Sequence, residues 1–155
     1  MNLPASFIDY TRALLGNEEY EKLAVALQQE PPVSIRLNEK LGALSQNAGA
    51  AHSSFFIHHS SLNKVPWASG GYYLDERLTF TFDPLFHAGC YYVQEASSMF
   101  VEQVLRQYVS APVMMLDLCA APGGKSTHAR SVLPEGSLLV ANEVIRNRSQ
   151  VLAEN

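Results

Sequence analysis

The stretch VMMLDLCAAPGGK, from Val113 to Lys125, decides the fold class of this chain. Its first part, Val113–Leu118, is apolar except for Asp117, which is typical of a short strand buried on both faces of a parallel sheet. Small residues follow, and two consecutive glycines permit the backbone angles that a tight turn requires. A helix is then predicted from about Lys125 to Leu133. The stretch therefore predicts a strand, a turn and a helix in that order.

A second strand and a second helix follow this unit. Ser137–Ala141 (SLLVA) is an apolar run after the turn Pro134–Gly136, and Val144–Asn155 has the residue pattern of a helix. The order strand, helix, strand, helix is that of a parallel α/β sheet with right-handed crossovers. We expect residues 86–155 to begin a Rossmann-like domain. Two strands are few for such a sheet, so we also expect the chain to be the N-terminal part of a longer enzyme.

Residues 1–85 differ from this pattern and predict a small α+β module, which is a candidate for RNA docking. Residues 39–63 are weakly patterned and predict loops and a short helix. Helices are expected over residues 5–14, Asn17–Gln29 and Ala96–Val109. Strands are expected over Val33–Leu37, Leu78–Phe82 and Cys90–Val93.

Composition excludes several classes of protein. The 155 residues are 47% hydrophobic and 17% charged, as in an ordinary globular protein. There is no apolar run of the roughly 20 residues that a membrane helix needs, and the N-terminus lacks the features of a signal peptide. Two cysteines are too few for a disulfide framework, so a reducing cytoplasm is expected. The net charge of −4 argues against strong electrostatic binding of nucleic acid by this segment.

The glycine turn has the features of a ligand site. Backbone N–H groups at the start of the following helix are free to bind an acceptor, which is a carboxylate in a methyltransferase and a phosphate in a nucleotide-binding protein. Glu143 stands at the end of the second strand, about 20 positions after Gly123. An acidic residue at this spacing accepts hydrogen bonds from ribose hydroxyls, which favours an adenosine-containing ligand.

Two other interpretations of the turn are open. It is a plain strand-to-helix connection in one, and a P-loop in the other, because Gly124-Lys125-Ser126 matches the end of that motif. The P-loop pattern requires glycine where this chain has Cys119. The dehydrogenase pattern G-x-G-x-x-G is absent.

The segment DLCAAPGGKSTHA, residues 117–129, resembles the cofactor motif of the Nol/Nop/Sun family of RNA 5-methylcytosine methyltransferases. Three flanking stretches are also similar to that family. They are Pro32–Asn38 (PVSIRLN), Phe86–Met99 (FHAGCYYVQEASSM) and Ala141–Asn155 (ANEVIRNRSQVLAEN). A proline within the glycine turn distinguishes this motif from that of most other methyltransferases.

The resemblance implies a methyltransferase that uses S-adenosylmethionine to modify C5 of cytosine in rRNA or tRNA. Glu143 would hold the ribose, Arg148 would lie near the adenosine, and the segment Gln94–Ser97 would flank the pocket. The residues expected to line the cofactor site are Cys119, Ala120, Ala121, Pro122, Gly123, Gly124, Lys125 and Glu143.

The resemblance also implies covalent catalysis by a cysteine thiolate that adds to C6 of cytosine. In the family this thiol lies in P-C and T-C motifs, and neither occurs here. We interpret Cys119 as a pocket residue and Cys90 as a buried structural thiol. No catalytic residue is therefore assigned, and we expect no methyl transfer by this chain alone. A nucleotide hydrolase and a non-catalytic RNA-binding fragment are the alternative functions.

Histidines and aromatic residues offer weaker candidates. His52, His58 and His59 lack a second ligand pair at the spacing of a zinc site, so no metal is expected. His87 and His128 are isolated, and local hydrogen bonding is the favoured interpretation of each. Core packing is favoured over base stacking for most of the aromatic residues, and RNA contact by Arg36 or Lys64 is the less favoured interpretation of these two. The aromatic residues in question are Trp67, Tyr72, Tyr73, Tyr91 and Tyr92.

Overall fold

A computed structural model describes residues 3–38 and 63–155 and divides the chain into two compact units, Met1–Pro32 and Val33–Asn155. The α-helices of the described part are α1 (Ala5–Ala26), α2 (Pro84–His87), α3 (Val101–Tyr108), α4 (Gly124–Val132) and α5 (Arg146–Glu154). The strands are β1 (Val33–Leu37), β2 (Asn63–Lys64), β3 (Gly71–Leu74), β4 (Tyr91–Val93), β5 (Met114–Asp117) and β6 (Leu138–Ala141).

The first unit consists of α1, which is interrupted at Gly16. This residue has φ 80° and ψ 168°, a conformation that is outside the helical region and favours glycine. The break allows Arg12 to lie over the ring of Tyr20, 4.4 Å from its centroid, and to pair with Glu21 at 2.7 Å. The prediction of two helices on either side of Gly16 is confirmed.

The second unit begins with a four-stranded antiparallel sheet in the order β2-β3-β1-β4. Strand β1 is central, and Ile35 lies opposite Tyr72 of β3 and Val93 of β4. Ile35 is fully buried, together with Leu74, Cys90 and Tyr91. This core confirms the strand prediction for β1 and the interpretation of Cys90 as a buried thiol.

The strand predicted over Leu78–Phe82 is wrong. Residues Phe80–Phe82 form a 3₁₀ turn, and Asp83 caps α2 by accepting a hydrogen bond from the Leu85 N–H at 2.9 Å. The turn brings the ring of Phe80 within 6.1 Å of Tyr91 and 6.5 Å of Phe86, measured between centroids. Packing of aromatic rings against β4 therefore overrides the alternating pattern that suggested a strand.

The second sheet consists of β5 and β6, which pair in parallel from Met114 opposite Leu138 to Asp117 opposite Ala141. Helix α4 connects the two strands, as predicted. The described fold is therefore α/β: an antiparallel sheet is followed by a two-stranded, partial Rossmann-like parallel sheet. The predicted boundary at residues 85 and 86 stays a prediction, and β4, which follows it, pairs with β1.

The expectation that β5 is buried on both faces is wrong for the described residues. Met114 is 86% exposed and Leu116 is 56% exposed, whereas the intervening side chains are partly buried. A core of Leu105, Ala129 and Leu133 covers the inner face of the sheet. No described element covers the outer face, and this is why the alternate side chains of β5 lie in solvent.

The predicted helix over Ala96–Val109 is present in two parts. A 3₁₀ segment at Ser97–Phe100 leads into α3, which packs against α4. Among the described residues, no helix is both long enough and apolar enough to cross a membrane.

Candidate functional site

Asp117 organises the turn that follows β5. Its Oδ1 accepts a hydrogen bond from the Cys119 N–H at 3.1 Å, and its Oδ2 accepts one from the Ser126 hydroxyl at 2.7 Å. The carboxylate therefore joins the end of the strand to the first turn of α4. Since both oxygens are used within the protein, Asp117 holds the turn in shape.

Backbone contacts complete the turn. The Ala120 N–H donates to the Asn142 carbonyl at 2.9 Å, which ties the turn to the end of β6. The Ala121–Pro122 peptide is cis, and Gly123 has φ 116°, in the region that favours glycine. The Thr127 hydroxyl donates to the Gly123 carbonyl at 2.8 Å.

Gly124 allows a close approach of an aromatic ring. A Cβ at this position would lie 3.0 Å from a ring carbon of Tyr92, which is tighter than ordinary van der Waals contact. Tyr92 belongs to β4, so this contact places the antiparallel sheet directly beside the glycine turn. Burial raises the pKa of Tyr92, with a smaller opposing effect of Arg36, so its phenol is neutral.

A pocket of about 260 Å³ lies between the turn and the segment that follows β4. The predicted site residues Cys119, Ala120, Ala121, Pro122, Gly124 and Lys125 line one side of it, and Tyr92, Val93, Gln94, Glu95 and Ser98 line the other. Gln94 and Glu95 fall within the segment that was expected to flank the pocket. Lys125 is exposed, and among the described residues its ammonium group has no hydrogen-bond or ion-pair partner.

Glu143 does not line this pocket but is linked to it by Arg148. The Nη2 of Arg148 donates to the Ala121 carbonyl at 2.6 Å, and its Nη1 lies 3.3 Å from Oε2 of Glu143. The other carboxylate oxygen of Glu143 accepts a hydrogen bond from the Ile145 N–H at 2.9 Å. The Glu143 side chain is only 4% exposed and borders a separate groove between α4, β6 and α5.

The residues present suit an adenosyl amino acid. The turn has small side chains, so a ligand can approach its backbone closely, and its mouth carries one unpaired cation beside polar side chains of the opposite wall. Glu143 supplies a carboxylate at the end of the neighbouring strand. These groups match the carboxylate, ammonium and ribose hydroxyls of such a ligand in their hydrogen-bonding chemistry.

Sequence reasoning missed two residues that shape this site. Asp117 was noted as an interruption of an apolar run and as the first residue of the cofactor motif, but no role was assigned to it, and Asn142 was not considered individually. The Asn142 side chain donates to the Leu118 carbonyl at 2.9 Å. Both residues stand at the carboxyl end of a parallel strand, where α/β sheets hold their ligands, and this position is the signal that could have identified them.

Tyr92 lines this pocket, whereas the described histidine candidates His87 and His128 do not. His87 bonds to the Thr81 carbonyl at 2.9 Å. His52, His58 and His59 lie outside the described residues. Within residues 3–38 and 63–155, no cluster of three His, Cys, Asp or Glu residues is arranged to hold a metal ion.

A buried polar network lies behind the site. Glu102 accepts hydrogen bonds from His128 Nε2 at 2.9 Å, Arg106 Nε at 2.8 Å and the Ser69 N–H at 3.1 Å. Burial alone would raise the pKa of Glu102, but these hydrogen bonds outweigh it and hold the pKa at about 2. Burial lowers the pKa of His128 although Glu102 opposes the shift, so the imidazole is neutral and its Nδ1 has no partner within the described chain.

The sequence of this chain is similar to known families and to individual proteins. Residues 3–96 match the family described as the N-terminal domain of 16S rRNA methyltransferase RsmF, and residues 108–155 match 16S rRNA methyltransferase RsmB/F. Ribosomal RNA small subunit methyltransferase F of Pectobacterium atrosepticum is 33% identical over 159 residues, and that of Vibrio cholerae is 32% identical over 160. These alignments cover 99% and 100% of this chain but 32% and 33% of the relatives. The chain thus spans about a third of their length.

Solved structures share the fold. A methyltransferase homologue from Pyrococcus horikoshii has a TM-score of 0.74 at 26% identity, over 98% of this chain and 48% of that one. NSun6 from the same organism, described as solved with SFG, has a TM-score of 0.63 at 17% identity, over 97% of this chain and 61% of that one. The second likeness is one of fold alone.

Proposed function

Because the chain belongs to the 16S rRNA methyltransferase RsmF family, we propose that it serves the transfer of a methyl group from S-adenosylmethionine to C5 of a cytosine in ribosomal RNA. The observation that carries the proposal is the link between the glycine turn and Glu143 through Arg148. This link sets the distance between the two parts of the chain that would contact the ends of the cofactor.

The proposed cofactor site uses the predicted residues in two groups. Residues 119–125 would hold the methionine part at the start of α4, where free N–H groups favour a carboxylate. Glu143 would accept hydrogen bonds from the ribose, and Arg148 would keep it in place. When bound, the cofactor supplies a methyl carbon that is electrophilic because it is attached to a sulfonium.

The nucleophile is proposed to lie outside this chain. Cys119 is exposed and lines the pocket, while its N–H is held by Asp117. In this position it would contact the cofactor, and Cys90 is buried in the antiparallel core. We therefore propose that this segment binds the cofactor and the RNA, that it acts in the cytoplasm, and that it does not transfer methyl groups alone.

Calorimetry tests the choice of ligand. Titration with S-adenosylhomocysteine should release heat in a single-site isotherm, and ATP with magnesium should bind at least tenfold more weakly. Tighter binding of ATP that disappears in Lys125→Ala would establish the P-loop interpretation and reject the methyltransferase one. Lys64→Ala is the matched control, because Lys64 is exposed and lies in β2, away from the turn.

A substitution at Glu143 tests the ribose contact. Glu143→Gln keeps the size of the side chain and removes its charge, so we expect S-adenosylhomocysteine affinity to fall about tenfold, which corresponds to about 1.4 kcal/mol. Glu135→Gln, at an exposed turn, should bind like the wild type. Equal affinities of both variants would show that Glu143 does not contact the ligand.

A further inference from the structure

A second pocket, of about 280 Å³, lies at the end of β1 and shares no lining residue with the 260 Å³ pocket beside the glycine turn. Its walls come from the end of β1, the loop before β3, and helices α3 and α4. Three of its lining residues are arginines, namely Arg36, Arg106 and Arg130, and the chain has only eleven arginines and lysines in all. Positive charge is therefore concentrated here in a protein with a net charge of −4.

Arg36 forms the rigid base of this arginine pocket. It is only 7% exposed, and its Nε donates to Gln94 Oε1 at 2.8 Å while its Nη2 donates to the Thr127 hydroxyl at 2.7 Å. Its Nη1 has no partner among the described residues. Burial lowers the pKa of Arg36, yet a guanidinium stays charged at neutral pH. A buried cation with a free donor at a pocket wall requires an anion or water as its partner.

The described surroundings of the pocket cancel only part of its positive charge. Glu102 neutralises Arg106 at 2.8 Å, and His128 is neutral. Arg130 is exposed, and no ion pair or hydrogen bond within the described chain engages it. Among the described residues, Arg36 and Arg130 therefore have no ion-pair partner of their own, and Arg36 feels the Coulomb attraction of Glu102, whose carboxylate pairs with Arg106.

The remaining walls offer hydrogen-bond donors rather than acceptors with negative charge. The hydroxyl of Ser69 has no partner among the described residues, whereas Nδ2 of Asn38 already donates a hydrogen bond to the Gly89 carbonyl at 3.2 Å. No carboxylate is among the lining residues that the structure describes. The guanidinium of Arg130 and Nη1 of Arg36, beside the hydroxyl of Ser69, match the charge and the acceptor groups of a phosphate.

The geometry points to a binding site for a backbone phosphate of the RNA substrate in the arginine pocket. This inference rests on the proposed function, because RNA is the polyanion that such an enzyme must hold. A single residue, Thr127, connects the site to the cofactor turn. Its hydroxyl accepts a hydrogen bond from Arg36 and donates one to the Gly123 carbonyl. A phosphate held here would anchor the RNA strand to the same helix that begins at the cofactor turn.

Arg130 gives the test that disturbs the fold least, because its guanidinium has no partner to lose. A short fluorescein-labelled single-stranded RNA is titrated with the chain, and fluorescence anisotropy is measured at several potassium chloride concentrations. We expect Arg130→Gln to weaken RNA binding about threefold to tenfold and to lower the slope of log K against log salt by about 0.7, the value for one lost contact to a single strand. Arg130→Lys should keep the slope, because the charge is retained.

Arg77→Gln is the matched control. Arg77 is also exposed, is without a partner in the described chain, and does not line the arginine pocket. It should bind RNA within twofold of the wild type. Equal losses in Arg77→Gln and Arg130→Gln would overturn the inference, since binding would then follow overall charge. Circular dichroism melts of all variants check that the fold is kept.

Two further measurements separate this inference from the proposed function and from another source of phosphate. S-adenosylhomocysteine calorimetry is run on wild type and Arg130→Gln. If neither binds it while the RNA result holds, the proposed cofactor function fails and the phosphate site stands. Inorganic phosphate is added as competitor and should displace RNA only at millimolar concentration. Binding of inorganic phosphate at micromolar concentration without displacement of RNA would overturn the assignment to RNA.

Discussion

The antiparallel sheet and the parallel sheet of the second unit differ in which side chains they bury. Strand β1 (VSIRL) carries a serine and an arginine, yet Ser34, Ile35 and Arg36 are all buried. Strand β5 (MMLD) is mostly apolar, yet Met114 and Leu116 are exposed. The more hydrophobic strand is thus the less buried one in the described structure.

The difference shows what local sequence can and cannot indicate about burial. Polar residues of β1 are buried because each finds a partner: the Ser34 hydroxyl donates to the Gln94 carbonyl at 2.6 Å, and Arg36 bonds to Gln94 and Thr127. Burial of a polar group is tolerated only when such bonds are made. Apolar residues of β5 are exposed because no described element packs on their face. Burial therefore depends on neighbours in space, and three substitution or titration experiments test this comparison.

The largest effect is expected from Glu102, the centre of the polar network behind the antiparallel sheet. Glu102→Ala leaves His128 Nε2 and the Ser69 N–H without their acceptor, so we expect a loss of about 3–5 kcal/mol in the free energy of unfolding. Urea denaturation followed by circular dichroism measures it. Glu135→Gln, at an exposed turn, should change the free energy by less than about 0.5 kcal/mol. A loss below about 1 kcal/mol for Glu102→Ala would mean that water replaces the carboxylate and that the network is not a closed one.

The second experiment compares the two sheets directly. Ile35→Ala empties a fully buried position of β1 and should cost about 2–5 kcal/mol, whereas Met114→Ala on the exposed face of β5 should cost less than about 0.5 kcal/mol beyond any change in strand propensity. Both changes are read from the same urea curves. Similar costs at the two positions would mean that the outer face of β5 is covered in solution and would remove the contrast between the sheets.

The smallest effect concerns acid pH. Glu102 and His128 both have a lower pKa in the folded chain than in the unfolded one. The unfolded chain therefore binds more protons below pH about 6.5, and acidification destabilises the fold between that value and about pH 2. Thermal midpoints should fall from pH 7 to pH 4. In His128→Gln the fall of the thermal midpoint between pH 7 and pH 5 should become shallower, while the fall below pH 4.5 should remain. An unchanged pH profile would show that His128 does not contribute to the pH dependence of stability.

Elements with a strong local signal were predicted well. The parallel strands, the turn of small residues and the helix after it follow from periodicity and from glycine and proline positions over residues 113–141. The break at Gly16 was also predictable, because its backbone conformation favours glycine. The proposed cofactor residues on one side of the pocket are consecutive in the chain, so a local motif was enough to bring them together.

Contacts between distant residues were not predictable from these signals. Arg36 and Gln94 are 58 positions apart, and Glu102 and His128 are 26 apart. Neither periodicity nor turn propensity carries information about such pairs. The same limit explains the wrong strand prediction at Leu78–Phe82. The turn formed there packs Phe80 against the ring of Tyr91, which is a contact that the local pattern does not indicate.

Met114 is exposed and Met99 is buried, so the oxidation of these two residues can report on local opening of the chain. Peroxide converts an accessible thioether into a sulfoxide, which is polar and no longer suits an apolar core. Met114 on the outer face of β5 should be oxidised before the buried Met99, and its sulfoxide would lie in water at little cost. Met99 is fully buried beside Val65 and Ala68, so its oxidation requires that region to open. The ratio of the two sulfoxides in a peptide mass spectrum therefore measures how often the antiparallel half of the unit opens, without any added label.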